Sequence, residues 1–391
     1  MTAVQTKPFQ GARVLPGFLT SGFLFALLGA LLPRWGYHIT ADYGTIGGYF
    51  ICLAVGVIVP TESAAGFIRR ASISNQMAAG CGLASASLIL LAFTPLEAPA
   101  LWRMFGLLLI GFSAGLINSA LFAALSAAYT KDVARAVSIG GILFGVGCLF
   151  SALLVALTFY SLSVTGALLL LALVPGIFAF VYYRMNIPAI QTTGQPSLID
   201  AARDFRSFGT VAFAALLFFQ FGNEWAIAGW LPMFLIEQLG ISPKTSILML
   251  ALYWSALLVG RVVLFAILRH VGHGRVLLIS ASAAAFGCIL LFFTNNLFGA
   301  TMSVLLTGFG FAAIYPLVAE KIGRRFTYYH PGLFNGIFSL ALAGGMLAPG
   351  TLGLFADSYG IRVVAALPLI GTVMVVALVL MIWLESKVTG R

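Results

Sequence analysis

The sequence predicts an all-α membrane protein with twelve transmembrane helices in two pseudo-symmetric six-helix bundles. Three observations predict it. The composition is too apolar to cover a water-facing surface. The apolar residues fall into twelve segments of bilayer length. The basic residues concentrate on one side of those segments.

Composition sets the class. Of the 391 residues, 61% are hydrophobic and 8% are charged, and the mean hydropathy is +1.05. A soluble domain carries about 25% charged residues. This chain has too few, so its outer face must meet lipid. A helix needs about 20 residues to cross the hydrocarbon core. The apolar segments lie at 14–33, 43–61, 74–93, 101–128, 134–160, 163–184, 208–236, 245–268, 276–294, 298–321, 331–355 and 361–384, bounded by charges and by Gly or Pro. The first is full length and reads as a retained helix, not a cleaved signal peptide. The one long polar interruption, Met185–Ser207, holds Pro188, Pro196, Asp200, Arg203, Asp204 and Arg206. It reads as a cytoplasmic linker, residues 185–207, with a short amphipathic helix near Leu198–Phe205. The linker separates an N-terminal bundle, residues 1–184, from a C-terminal bundle, residues 208–391.

Charge gives the orientation. The net charge is +10, yet no basic run exceeds two residues, as at Arg324-Arg325, which excludes a nucleic-acid footprint. With the N-terminus inside, sixteen Lys and Arg residues fall in inner segments and four in outer ones: Arg34, Arg103, Lys244 and Arg362. That bias places both termini in the cytoplasm and supports an even number of spans. The expected setting is a bacterial inner membrane. Trp35, Trp102 and Trp383 fall at predicted interfaces and read as an aromatic belt.

The halves match weakly. Gly111-Phe112 corresponds to Gly308-Phe309 and Gly147 to Gly344 at a common offset of 197 residues, and Leu32-Pro33 corresponds to Leu231-Pro232 nearby. Duplicated parallel halves are a known transporter architecture, with the substrate site near mid-membrane at their junction. Many of the 43 glycines lie at helix-packing spacing. Cys52, Cys81, Cys148 and Cys288 sit in apolar runs without C-x-x-C spacing and read as small buried hydrophobes.

Ionisable residues deep in a bilayer are costly and so are functional candidates. Of eleven acids, Glu224 alone sits well inside a predicted span. Gln220, Asn223 and Glu224 stand at i, i+3 and i+4, so they are expected on one polar helical face. That face is a candidate for substrate binding, with Glu224 also for proton coupling; a polar tie to another helix is the alternative. Trp225 and Trp230 lie deep enough to stack on a ligand. Asn118 in the fourth span and Tyr315 in the tenth are equivalent by the 197 offset, and either substrate contact or interhelical bonding suits them. Asn335 in the eleventh span is a further substrate candidate. Arg261, inside the eighth span, needs an acid or carbonyl partner; gating or structure is its expected role. Glu62 and Glu320 lie near inner span ends, within reach of Arg69 or Arg324. His270 and His273 flank a loop with no further ligands nearby, so no metal is expected. H-E-x-x-H and G-x-x-x-x-G-K-[ST] are missing from the sequence, which argues against an enzyme or an ATP-driven pump and calls for no cofactor.

The segment from Gly260-Arg261 to Gly272 and Arg275 resembles the second loop signature of the major facilitator superfamily. Gly308-Phe-Gly-Phe-Ala-Ala-Ile-Tyr-Pro316 is similar to its tenth helix, and Ala343-Gly-Gly-Met-Leu-Ala-Pro349 with Gly353 and Asp357 to its eleventh. The first loop signature is degraded to Glu62-Ser-Ala-Ala-Gly-Phe-Ile-Arg-Arg70 and lacks its usual Asp. Gly222-Asn-Glu-Trp225 with Gly229-Trp230 resembles the seventh helix of sugar permeases of the fucose–galactose–glucose proton symporter group. The first and fourth helices lack the buried acids of those permeases, which leaves Glu224 as the mid-membrane acid. The resemblance implies alternating access around a cavity lined by the first, fourth, seventh and tenth helices. The expected protein is a monomeric secondary transporter for a small polar organic solute, sugar-like, with proton symport as the candidate drive. Efflux of amphipathic drugs or lipids is the alternative, and a non-transporting membrane receptor or assembly factor is the reading from another class.

Overall fold

The computed structural model describes residues 13–67, 72–95, 97–128, 133–187, 208–268, 270–325 and 331–388. Among them are twelve long helices: α1 Gly17–Arg34, α2 Tyr43–Phe67, α3 Ile73–Ala92, α4 Ala100–Ala128, α5 Val133–Leu157, α6 Val164–Arg184, α7 Phe208–Leu239, α8 Pro243–Ile267, α9 His273–Phe293, α10 Leu297–Arg325, α11 Pro331–Tyr359 and α12 Val363–Val388. All twelve are long and apolar enough to cross a membrane. The expected linker helix near Leu198–Phe205 lies outside the described residues.

Local signals set the ends. Ser72, Ser163 and Ser242 cap α3, α6 and α8, each accepting from a backbone N–H three residues on, and Pro243 opens α8. Beyond α1, α7 and α11 stand Gly36, Gly240 and Gly360 at φ +82°, +64° and +81°, a left-handed turn that glycine enters without a Cβ clash. Pro33 in α1 and Pro232 in α7 lie inside the last two turns of their helices.

The described residues form two compact units. One lies within Met1–Gly36 and Gly48–Thr193, the other within Tyr37–Gly47 and Gly194–Arg391. In the first unit α1 packs on α5 and α4, and α3 on α6 and α4; in the second α7 packs on α11 and α10, and α9 on α12 and α10. The pairing repeats with a shift of six helices. The glycine contacts repeat too. A Cβ built on Gly147 would lie 2.0 Å from the carbonyl oxygen of Leu19, and one on Gly344 would lie 2.1 Å from that of Phe218. Gly111 stands 2.1 Å from the Leu53 oxygen by the same measure, and Gly308 2.7 Å from that of Tyr253. In lipid, helices gain no hydrophobic force between them, so such backbone approach carries the packing.

Two of the four basic residues that the charge count puts outside are staples within the first unit. Arg34 is buried and donates to the carbonyls of Thr158, Leu162 and Ser163 at 2.9, 2.6 and 3.0 Å. Arg103 stacks 5.6 Å over Trp35. Trp35 therefore departs from the belt expectation: it is 7% exposed, edge-on to Tyr49, because α2 and a cation enclose its ring. Trp102 and Trp383 are exposed as a belt requires.

Candidate functional site

The second unit holds a buried acid–base pair. α7 runs through the middle of it, packed by α8, α10, α11 and α12. Glu224 lies in the middle of α7, and its Oε1 is 3.8 Å from a guanidinium nitrogen of Arg261 on α8. The two side chains are 10% and 13% exposed. A carboxylate and a guanidinium buried together each offset part of the other's desolvation cost. Arg261 thus has the acid partner that its burial demands. The Tyr253 hydroxyl, also on α8, donates to the Glu224 backbone oxygen at 3.3 Å.

The expected single polar face is divided. Successive residues turn by about 100° along a helix, so Asn223 and Glu224 diverge. Asn223 turns to α12, where its amide donates to Thr372 Oγ1 at 3.3 Å and its side chain abuts Gly371. Glu224 turns to α8. Gln220 is fully buried one turn before Glu224 in α7, with its carboxamide beside the Glu224 carboxylate.

The partly open side of α7 is aromatic. Phe218, Phe221 and Trp225 are half-buried, and Tyr315 of α10 meets Phe221 edge-on at 5.3 Å. Trp225 lies 5.7 Å from Trp254 of α8 and against Gly345 of α11. The charged pair therefore lies inside the unit and the rings lie outermost. Trp230 is fully enclosed and donates its indole N–H to the Pro349 oxygen at 2.8 Å, which ties α7 to α11. Towards the C-terminal end of α7 Tyr43 donates to Glu237, and its ring stands 6.3 Å from Trp230.

The first unit has no counterpart of the charged pair among its described residues. Asn118 of α4 accepts from the Ser21 hydroxyl of α1 at 2.7 Å, an interhelical bond. Asn118 and Tyr315 belong to different units and are placed here each in its own. Asn335 lies in α11, and its side chain is outside the described residues. Glu320 stands 3.2 Å from His273 at the start of α9, and the Arg324 side chain lies outside the described residues. Among the described residues no group of three His, Cys, Asp or Glu could hold a metal.

Sequence reasoning missed Tyr253 and Trp254, since rings in an apolar span look like lipid-facing filler. Their signal was depth: belt aromatics gather at span ends, and these two stand mid-span. Trp254 is 1% exposed.

The comparisons with known proteins agree on architecture. The family description Major Facilitator Superfamily matches residues 77–343 and 213–391. A glucose/galactose transporter of Brucella abortus biovar 1 (strain 9-941) is 30% identical over 214 residues, 52% of this chain and 49% of its own length. The match thus spans about half of that relative. An uncharacterized MFS-type transporter of Yersinia pestis is 22% identical over 366 residues, 91% of each chain. Among solved structures, the nucleoside transporter NupG superimposes with a TM-score of 0.70 at 15% identity, covering 97% of this chain and 99% of that one. A bacterial homolog of the human lysosomal transporter Spinster, inward-facing and unoccupied, gives 0.64 at 12% identity, covering 97% and 96%.

Proposed function

The chain belongs to the major facilitator superfamily, and we propose that it is a secondary transporter of a small, ring-bearing polar solute, sugar-like in kind, coupled to protons through Glu224. It is a multi-pass membrane protein whose relatives are transporters, not enzymes. The observation that carries the coupling reading is the Glu224–Arg261 pair, buried in α7 and α8 at 3.8 Å. A proton on Glu224 cancels the attraction and frees Arg261. Loading and release of that proton changes how firmly α7 and α8 are tied, which is what a coupling step in alternating access needs. The partner of such a step is the proton, and no other cofactor enters.

Half-buried Phe221, Trp225 and Tyr315 support the ring-bearing substrate. Aromatic faces bind the apolar faces of flat rings, and polar groups near them set orientation. The glucose/galactose transporter among the relatives supports a sugar. Gln220 supplies a buried carboxamide beside Glu224, while Asn223 and Trp230 hold α7 to its neighbours. Asn118 and Asn335 remain substrate candidates from their depth. The same aromatic wall favours the second reading, efflux of an amphipathic molecule. We assign the protein to a bacterial inner membrane with both termini cytoplasmic, on the distribution of its basic residues.

The test is a thermal-shift screen of the purified protein against sugars, organic acids and amphiphiles, repeated with Trp225→Ala. A sugar that stabilises the wild type and not the variant supports the reading. Stabilisation by amphiphiles alone supports efflux, and an undiminished sugar response in the variant removes the aromatic wall from the site.

A further inference from the structure

A groove of about 670 Å³ runs along α6 beside α3 in the first unit, away from the charged pair. Its walls are Leu169, Leu173, Ile177 and Phe180 of α6 with Ser85 and Ile89 of α3. The α6 residues from Gly166 to Phe180 recur at three- and four-residue steps, so one helical face forms the wall for about 20 Å. That is most of one hydrocarbon core, about 30 Å thick. The Ser85 hydroxyl is already given to the Ala172 carbonyl at 2.9 Å. The groove therefore offers a guest apolar contact and no unspent wall hydroxyl, which suits a hydrocarbon chain.

The inner mouth of the groove is charged. Arg184, one turn beyond Phe180, is exposed and stacks 5.1 Å over the Phe180 ring. Among the described residues it has no acidic partner. A basic side chain at the cytoplasmic end of an interhelical groove attracts an anionic headgroup. We propose that this groove is a binding site for an anionic phospholipid, with an acyl chain along α6 and the phosphate on Arg184. The occupant is a bilayer lipid: the groove lies within the membrane-spanning parts of α3 and α6 and opens sideways, where hydrocarbon is the surrounding medium. Leu173 at 58% and Ile177 at 62% exposure form its lip.

The experiment compares phosphatidylglycerol and phosphatidylcholine with identical acyl chains, each titrated onto delipidated full-length protein and counted by native mass spectrometry. Wild type is expected to hold phosphatidylglycerol about fivefold better, the worth of one basic side chain at a lipid surface. Arg184→Gln, at an exposed position, is expected to equalise the two lipids. Leu173→Trp, which fills the groove from its lip, is expected to lower both. Equal retention by wild type, a phosphatidylglycerol preference unchanged in Arg184→Gln, or undiminished binding of both lipids in Leu173→Trp would overturn the proposal. A second copy of the chain is the rival occupant: oxidising Leu173→Cys in membranes should leave monomer, and complete conversion to a disulfide dimer would replace the lipid with a protein interface.

Discussion

Removing Arg261 while keeping Glu224 is the most informative single perturbation of the second unit. The charges stand 3.8 Å apart with only 13% and 10% of the two side chains exposed. At an effective dielectric of about 20 their attraction is about 4 kcal/mol. Breaking a buried pair by deleting one partner costs about 3–5 kcal/mol, because the survivor stays desolvated. Arg261→Met is therefore expected to lose about 3–4 kcal/mol, close to the whole Coulombic term. Glu224→Gln alone strands the guanidinium and should cost somewhat less, since Gln still accepts a hydrogen bond. The double variant Glu224→Gln/Arg261→Met leaves no buried charge, so its loss should fall at least about 2 kcal/mol short of the summed single losses. The assay is unfolding of purified protein in mixed micelles, monitored by tryptophan fluorescence, on all four proteins of the cycle. Strictly additive losses would show that the two groups do not interact and would remove the pair from the coupling scheme.

Other perturbations test the packing and the topology. Gly147→Ala and Gly344→Ala push a methyl to 2.0 and 2.1 Å from carbonyl oxygens, so each should destabilise by about 1–3 kcal/mol despite the better helix propensity of Ala. Gly82→Ala, whose methyl finds Ala179 at 3.9 Å, should be neutral or stabilising in the same thermal assay. Asn223→Ala deletes the bond to Thr372 and should cost about 0.6–1 kcal/mol without altering substrate affinity, read as unfolding midpoint against ligand titration. In a cysteine-free background, Cys at Thr40 and Ser242 should react with impermeant thiol reagents from outside, and Cys at Ser72 and Gly274 only from inside; a cytoplasmic Ser242 would contradict the twelve-span orientation.

Much of the fold was legible in the sequence because a bilayer admits few solutions. Every backbone group in hydrocarbon must be bonded within its own helix, so apolar length alone locates the spans. The glycine offset was legible as well: Gly147 and Gly344 repeat because the same close approach recurs in each unit. Side-chain direction was not. Gln220, Asn223 and Glu224 look like one stripe on a helical wheel, yet α8 and α12 flank α7 and draw Glu224 and Asn223 apart. Charge statistics concealed a second purpose. Arg34 and Arg103 counted as outer topology signals, while the fold uses them to bind carbonyls and a ring. The acid for Arg261 was foreseeable as a need, but its identity depended on α7 and α8 packing, which no local pattern encodes. Trp254 offered only its mid-span depth as a signal, and its partner Trp225 depended on the same packing of α7 and α8.

The measurement closest to the central claim is uptake into proteoliposomes with and without an imposed pH gradient, for wild type and Glu224→Gln. The substrate is the sugar that stabilises the purified protein. Gln keeps the shape and an acceptor oxygen towards Arg261 but cannot carry a proton. Wild type should accumulate substrate against its gradient when the outside is acid. The variant should lose that accumulation and still exchange substrate between equal pools. Gradient-driven accumulation in Glu224→Gln at the wild-type level would contradict the assignment of proton coupling to Glu224.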